Sequence, residues 1–182
     1  MLHDFIFWSF WIALAIIFYT YIGYGILIYL FAKLFGKNRP TQIQADEALP
    51  HVTLIIAAYN EEGYIADKIQ NTLSLDYPKE KLSIWVVADG STDQTINICK
   101  GFKEVEIFYE AARRGKIHAV NRVIKQVKSP IVIFSDANTF VNESGLKNMV
   151  RHFQHADVGG VAGEKRIMNK EEDKAAGAGE GL

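Results

Sequence analysis

One cysteine, four prolines and no excess of charge of either sign are what the 182-residue sequence has least of. A lone Cys99 excludes an internal disulfide framework, and no Cys/His cluster has zinc spacing. Cys99 falls on the apolar side of a predicted helix and reads as a core residue. Twenty Lys and Arg against 21 Asp and Glu leave a net charge of −1, so no basic field is available and nucleic acid is excluded as a partner. Charge is also missing locally, because residues 5–32 contain none.

About 20 apolar residues suffice to cross a bilayer, so residues 5–32 read as a single transmembrane helix with length to spare. A secretory signal fits poorly, since Asp4 stands where a basic segment belongs and the apolar run is too long. Lys33, Lys37 and Arg39 follow the run and, by the positive-inside rule, put everything downstream in the cytoplasm. Gly23 and Gly25 allow another backbone to approach the helix closely. The chain thus divides into a transmembrane helix with its basic flank (1–38), a linker bracketed by Pro40 and Pro50 (39–50), and a domain over 51–182.

In that domain, buried-strand and helix patterns alternate. The run VTLIIAA at 52–58 predicts a strand, and Ile65, Ile69 and Leu73 predict a helix over 61–75 that Asp76-Tyr77-Pro78 ends. A second strand at 82–88 breaks into Asp89-Gly90-Ser91-Thr92-Asp93, where Ser91 or Thr92 is placed to cap a helix running to 103. A short strand follows at 105–109, then a helix from Gly115 with Ile117, Val120, Ile124 and Val127 inward. A fourth strand at 131–134, an amphipathic helix at 144–155 and a glycine-rich fifth strand at 158–167 complete the pattern. The alternation predicts an α/β domain: a mainly parallel sheet with right-handed crossovers and helices on both faces.

The chemistry gathers where strands end. Tyr59-Asn60-Glu61, Asp89 through Asp93, and Asp136-Ala137-Asn138 each follow a buried strand, and parallel strands bring such ends to one rim. Carboxylates collected there repel unless a cation or hydrogen-bond donors offset them. Asp136 and Asn138 are oxygen donors two residues apart and suit a hard divalent ion, Mg2+ or Mn2+. Arg113, Arg114 and Lys116 around Gly115 supply positive charge at a helix start, where backbone N–H groups favour a phosphate. Metal, phosphate and carboxylates together describe a nucleoside-diphosphate site.

Four motifs carry a family resemblance: AYNEE at 58–62, DGSTD at 89–93, GK at 115–116 with Ala119 and Asn121 downstream, and SDAN at 135–138. In this order and spacing, over 52–167, the chain resembles the nucleotide-binding half of family 2 glycosyltransferases, GT-A-fold enzymes that include membrane-bound processive polysaccharide synthases of bacteria. The resemblance implies a nucleotide-sugar donor, usually a UDP-sugar, a saccharide or lipid-linked acceptor, and a bacterial inner or plasma membrane. It implies that Ala58, Tyr59, Asn60 and Glu61 line the nucleoside pocket, that Asp89 hydrogen-bonds the base, and that Ser91 and Asp93 belong to that turn. It also implies that Lys116 lies near the diphosphate, that Gly115 and Asn121 belong to the nucleotide-sugar site, and that Asp136, Ala137 and Asn138 stand where the family has its metal-binding D-x-D. The implied reaction is inversion by single displacement.

Two departures accompany the match. The third position of the metal motif is Asn138 instead of Asp. The family's general base, in a later Glu-Asp pair, and its Gln-x-x-Arg-Trp motif have no counterpart, so the chain reads as a truncated, donor-binding fragment. Glu171-Glu172-Asp173 comes too early and reads as a solvated loop. Two other classes stay open: a silent nucleotide-binding module, and a different α/β enzyme such as a nucleotidyltransferase.

Overall fold

A computed structural model describes residues 1–36, 40–42 and 45–164, and it separates into two compact units, Met1–Pro40 and Thr41–Leu182. Lys37 and Arg39 of the basic flank, the 165–167 end of the expected fifth strand, and Glu171-Glu172-Asp173 lie outside the described residues.

The first unit is helical from Leu2 to Phe35. Helices α1 (Leu2–Phe18) and α2 (Tyr24–Phe35) are joined without a break by a π turn, Tyr19–Gly23. Together they form one helix, Leu2–Phe35, whose apolar 18-residue stretch has a mean hydropathy of 2.0 and is nowhere buried within the protein. Its 34 residues rise about 50 Å at ~1.5 Å each, so the helix is long and apolar enough to cross a membrane. At the π turn Thr20 Oγ1 donates to the Ile16 carbonyl at 2.8 Å, a local back-bond of the kind that accompanies such bulges.

The second unit is built on four parallel strands: β1 (Val52–Ala58), β2 (Leu82–Asp89), β3 (Val105–Glu110) and β4 (Ile131–Asp136), in the order β3-β2-β1-β4. The chain steps from β1 outward to β3, then crosses back to the far side of β1. Right-handed crossovers in opposite directions place their helices on opposite faces of a sheet. Accordingly α3 (Ile65–Leu73), α4 (Thr95–Cys99) and α6 (Gly145–Val150) pack on one face, where Ile65, Ile69, Cys99, Leu146 and Val150 meet Leu54, Ile56, Ile84 and Val86. On the other face, α5 (Lys116–Ile124), the one helix there among the described residues, packs Ala119 and Val123 against Ile55, Trp85 and Val87. The expected mainly parallel sheet with helices on both faces is what forms.

Four expectations need correction. The helix expected over 61–75 begins only at Ile65, because Asn60 takes a left-handed conformation (φ 52°) and the amides of Asn60, Glu61 and Glu62 bond to the β2–α4 turn instead of entering a helix. Ile117 is 79% exposed; it lies about 120–160° around α5 from the Ala119 and Val123 stripe at ~100° per residue. The described part of the expected fifth strand, 158–164, is not in a strand. Gly159, Gly160 and Gly163 give it no side chains to pack, and glycine weakens a strand that lacks them. The helix expected at 144–155 is shorter as well, since α6 passes into a 3-10 turn at Arg151–Gln154.

The first-face core should dominate stability. Ile69 is wholly buried between α3 and the sheet, and Ile69→Ala should cost about 2–5 kcal/mol. Urea denaturation followed by circular dichroism will measure the loss.

Candidate functional site

The order β3-β2-β1-β4 reverses between β1 and β4, and open α/β sheets place their crevice outside the strand ends at such a point. The register pairs Ala58 with Ala88 and Ala57 with Asp136, so β1, β2 and β4 end level with one another. A cleft of about 360 Å³ opens there, with Ala58, Tyr59, Glu61, Asp89, Gly115, Lys116, Asp136 and Asn138 in its wall. The same wall holds Ala57, Val87, Arg113 and Ala119.

Asp89 ends β2 and is 5% exposed. Its Oδ2 accepts the Arg114 amide at 2.8 Å and the Gly115 amide at 2.6 Å. Those two amides are therefore taken by a carboxylate and not left for a phosphate. The second oxygen, Oδ1, is buried with no hydrogen-bond partner. A buried carboxylate oxygen without a donor costs a desolvation penalty that a ligand N–H or O–H would recover. Gly90 follows with φ 72°, and a Cβ there would sit 2.7 Å from Cβ of Arg113. Only glycine lets the Arg113–Gly115 segment come this close.

The rim between β1 and β2 is a closed hydrogen-bond network. Ser91 Oγ accepts the Asn60 amide at 3.2 Å, and Asn60 Oδ1 accepts the Thr92 amide at 2.8 Å. Thr95 Oγ1 accepts the Glu61 amide at 2.8 Å, and Asp93 Oδ2 accepts the Glu62 amide at 3.1 Å. The α4 cap is neither Ser91 nor Thr92. Asp93 Oδ1 accepts from the Thr95 amide at 3.0 Å and from its hydroxyl at 2.6 Å. Desolvation pushes the Asp93 carboxyl up, but the bonds from Thr95 and from the Glu62 amide outweigh it and hold the carboxyl below its usual range.

On the facing wall, the Arg113 guanidinium carbon lies 3.8 Å from the centroid of the Tyr59 ring, a cation–π stack. Arg113 entered the sequence reading only as charge. Its stacking was invisible there, because it depends on Gly90 admitting the segment. Lys116 Nζ pairs with Asp136 Oδ1, and both side chains are about half exposed (59% and 49%). An ion pair this wet contributes little stability and opens readily.

Ala137 is fully buried, so the residues on either side of it, Asp136 and Asn138, share the cleft wall. Among the described residues no group of three His, Cys, Asp or Glu side chains converges on a metal position. Asp136 and Asn138 offer two hard oxygens, and Mg2+ or Mn2+ held by so few protein ligands completes its shell with phosphate and water. The donor chemistry fits such an ion. Of the sequence candidates, Asn60, Ser91 and Asp93 build the adjoining turn and Ala137 lies beneath the wall, while Asn121 sits exposed on α5 outside the wall.

Comparison with known proteins shows the family and the fold. The family model described as Glycosyl transferase family 2 matches residues 53–178. The chain is 36% identical over 140 residues to the poly-beta-1,6-N-acetyl-D-glucosamine synthase of Staphylococcus aureus, covering 75% of this chain and 33% of that protein. It is 31% identical over 152 residues to the beta-monoglucosyldiacylglycerol synthase of a Nostoc species, covering 80% and 32%. It thus spans about a third of the length of these curated relatives. Among solved structures, the mannosyltransferase PcManGT from Pyrobaculum calidifontis in complex with GDP-Man and Mn2+ matches at TM-score 0.68 and 31% identity, over 81% of this chain and 45% of that one. Staphylococcus aureus TarS 1–349 in complex with UDP-GlcNAc matches at TM-score 0.50 and 28% identity, over 54% and 29%.

The lowered Asp93 pKa sets a pH dependence. A carboxyl depressed by folding adds stability that is fully present above its unfolded value of 3.8 and is lost as pH falls through the folded one. Asp93→Asn should therefore lower the thermal midpoint at pH 7, and the difference from wild type should shrink as the pH falls below 3.8 and through the lowered value of the folded carboxyl. Melting curves across that range will show it.

Proposed function

Since the chain belongs to the family 2 glycosyltransferases, we propose that its second unit binds a nucleoside-diphosphate sugar, a UDP-sugar by the resemblance of its motifs, in the cleft between β1, β2 and β4. The observation that carries this is the divided carboxylate of Asp89, one oxygen spent on Arg114 and Gly115 and the other buried without a donor at the cleft wall. A nucleobase with an N–H on its pairing edge supplies the missing donor. Uracil and guanine both have one, and TarS and PcManGT are described with UDP-GlcNAc and GDP-Man.

The remaining roles follow from position. Tyr59 offers a ring face to the base, the face on which Arg113 now lies. Ala58 and Glu61 flank that position in the cleft wall, and Asn60, Ser91 and Asp93 hold the turn that shapes it. Gly115 and Lys116 face Asp136 across the cleft, and Lys116 turns to the diphosphate once its pair with Asp136 opens. Asp136 and Asn138, set on either side of Ala137, would hold Mg2+ or Mn2+. When bound, the ion would stabilise charge on the departing diphosphate. Asn121 has no role in this arrangement.

The sugar passes to a saccharide or lipid-linked acceptor, a range matched by relatives named for a polysaccharide and for a glycolipid. Inversion by single displacement is the reaction type we infer. The Leu2–Phe35 helix is taken to cross the membrane once, a reading its length and composition support, and Lys33 beside its end supports a cytoplasmic second unit by the positive-inside rule.

Calorimetric titration of UDP and GDP with and without Mn2+ tests the assignment. UDP should bind more tightly than GDP, and Mn2+ should strengthen it. Losing a charged partner is worth about 1.5–3 kcal/mol, so Asp89→Ala and Asp136→Ala should each weaken UDP binding in Mn2+ by about tenfold or more. In Asp136→Ala the dependence on Mn2+ should vanish. Binding unaffected by either substitution contradicts the assignment.

A further inference from the structure

The β4 side of the cleft is gripped from beneath by two α3 side chains that have no part in the site so far. Lys68 is completely buried, and its Nζ donates to the Thr139 carbonyl at 2.5 Å. One turn on, Asn71 Nδ2 donates to the Val141 carbonyl at 2.8 Å, while its Oδ1 accepts the Val141 amide at 2.9 Å. Spacing of i, i+3 puts both on one face of α3. The backbone they hold, Thr139–Val141, follows directly on Asp136-Ala137-Asn138.

A buried ammonium needs a reason. Removing it from water costs several kcal/mol even after relaxation, and an apolar side chain of the same length would fill the space without that penalty. Stability alone therefore does not account for lysine here. Burial pulls the Lys68 pKa down to about 8, and the nearby Asp136 carboxylate pulls it back up.

We propose that Lys68 and Asn71 are positioning residues for the metal and diphosphate end of the cleft: they fix the Thr139–Val141 backbone so that Asp136 and Asn138 both face the cleft. Neither touches the ligand. This inference rests on the nucleotide-sugar reading of the cleft.

The full chain in detergent is titrated with UDP, in Mn2+ and in EDTA, as wild type, Lys68→Met and Asn71→Ala. Methionine keeps length and burial and removes the charge; alanine releases Val141 and leaves the charge. Groups that orient metal ligands typically change metal affinity by roughly tenfold to a hundredfold. Each variant should lose about tenfold in UDP affinity in Mn2+ and less than about twofold in EDTA. The spectrum of bound Mn2+ by electron paramagnetic resonance should broaden in both. Equal losses in Mn2+ and EDTA, tracking a lower melting midpoint, would mean a purely structural role and overturn the proposal, as would no loss in either variant. A wild-type chain whose UDP binding ignores Mn2+ would instead defeat the metal-site reading itself and this inference with it.

Discussion

The bond that the site depends on is the one from Asp89 to the start of α5. Strand β2 ends in a carboxylate whose Oδ2 takes the amides of Arg114 and Gly115, so the end of one buried strand and the beginning of a helix on the second face are tied at a single atom. The adjoining glycines make this possible. Gly90 (φ 72°) removes the Cβ that would strike Arg113, and Gly115 (φ 95°) supplies a backbone turn that an L side chain rarely adopts. From this tie come the placement of Arg113 over Tyr59 and the approach of Lys116 to Asp136.

The other walls are fixed by the same economy, in which backbone donors at element ends are met by short polar side chains. On the β1–β2 rim, Asn60 gives up its place in a helix for a left-handed turn, and its amide and those of its neighbours go to Ser91, Thr95 and Asp93. On the β4 rim, Asn71 and Lys68 do for the segment after Asn138 what Ser91 and Asp93 do for the one after Ala58. Three strand ends are therefore each braced by a different partner, and the cleft between them keeps its form from interactions outside its own wall.

Much of this was legible in the sequence, for a reason that also marks where legibility ends. Apolar runs such as VTLIIAA and LSIWVVA report burial on both faces, and burial on both faces means a parallel sheet with helices on each side. Strand ends, and the polar residues on them, then follow from topology. Glycine at 90 was likewise readable as turn chemistry, whereas Gly115 read only as the start of a helix. What could not be read was which side chain answers which amide. Asp93, and not Ser91 or Thr92, caps α4, because two bonds from Thr95 to one carboxylate oxygen surpass a single hydroxyl cap. Ile117 followed apolar spacing and still lies outward, since the first turn of α5 is set by Asp89 and not by packing. Lys68 shows the same limit from the opposite direction. In sequence it is one more charge on an amphipathic helix, and only the loop it meets, 71 positions later, gives it a reason to be buried.

The charges of the cleft can then be weighed against one another. Asp89 is nearly buried and already committed through Oδ2, so its contribution is positional and hard to change. Asp136 and Lys116 are half exposed and paired only with solvent-screened strength, so their contribution is conditional. On the reading proposed above, a cleft for a diphosphate needs both kinds. The rigid acceptor would select and orient the base at one end. At the other, a cation on a long flexible stem neutralises a carboxylate and would be free to turn toward the phosphates when a more highly charged group arrives. Had the Lys116–Asp136 pair been buried, its desolvation would have had to be undone at every binding event. Its exposure keeps that cost small, and the braced strand ends ensure that the carboxylate and amide left behind do not drift when the lysine moves away.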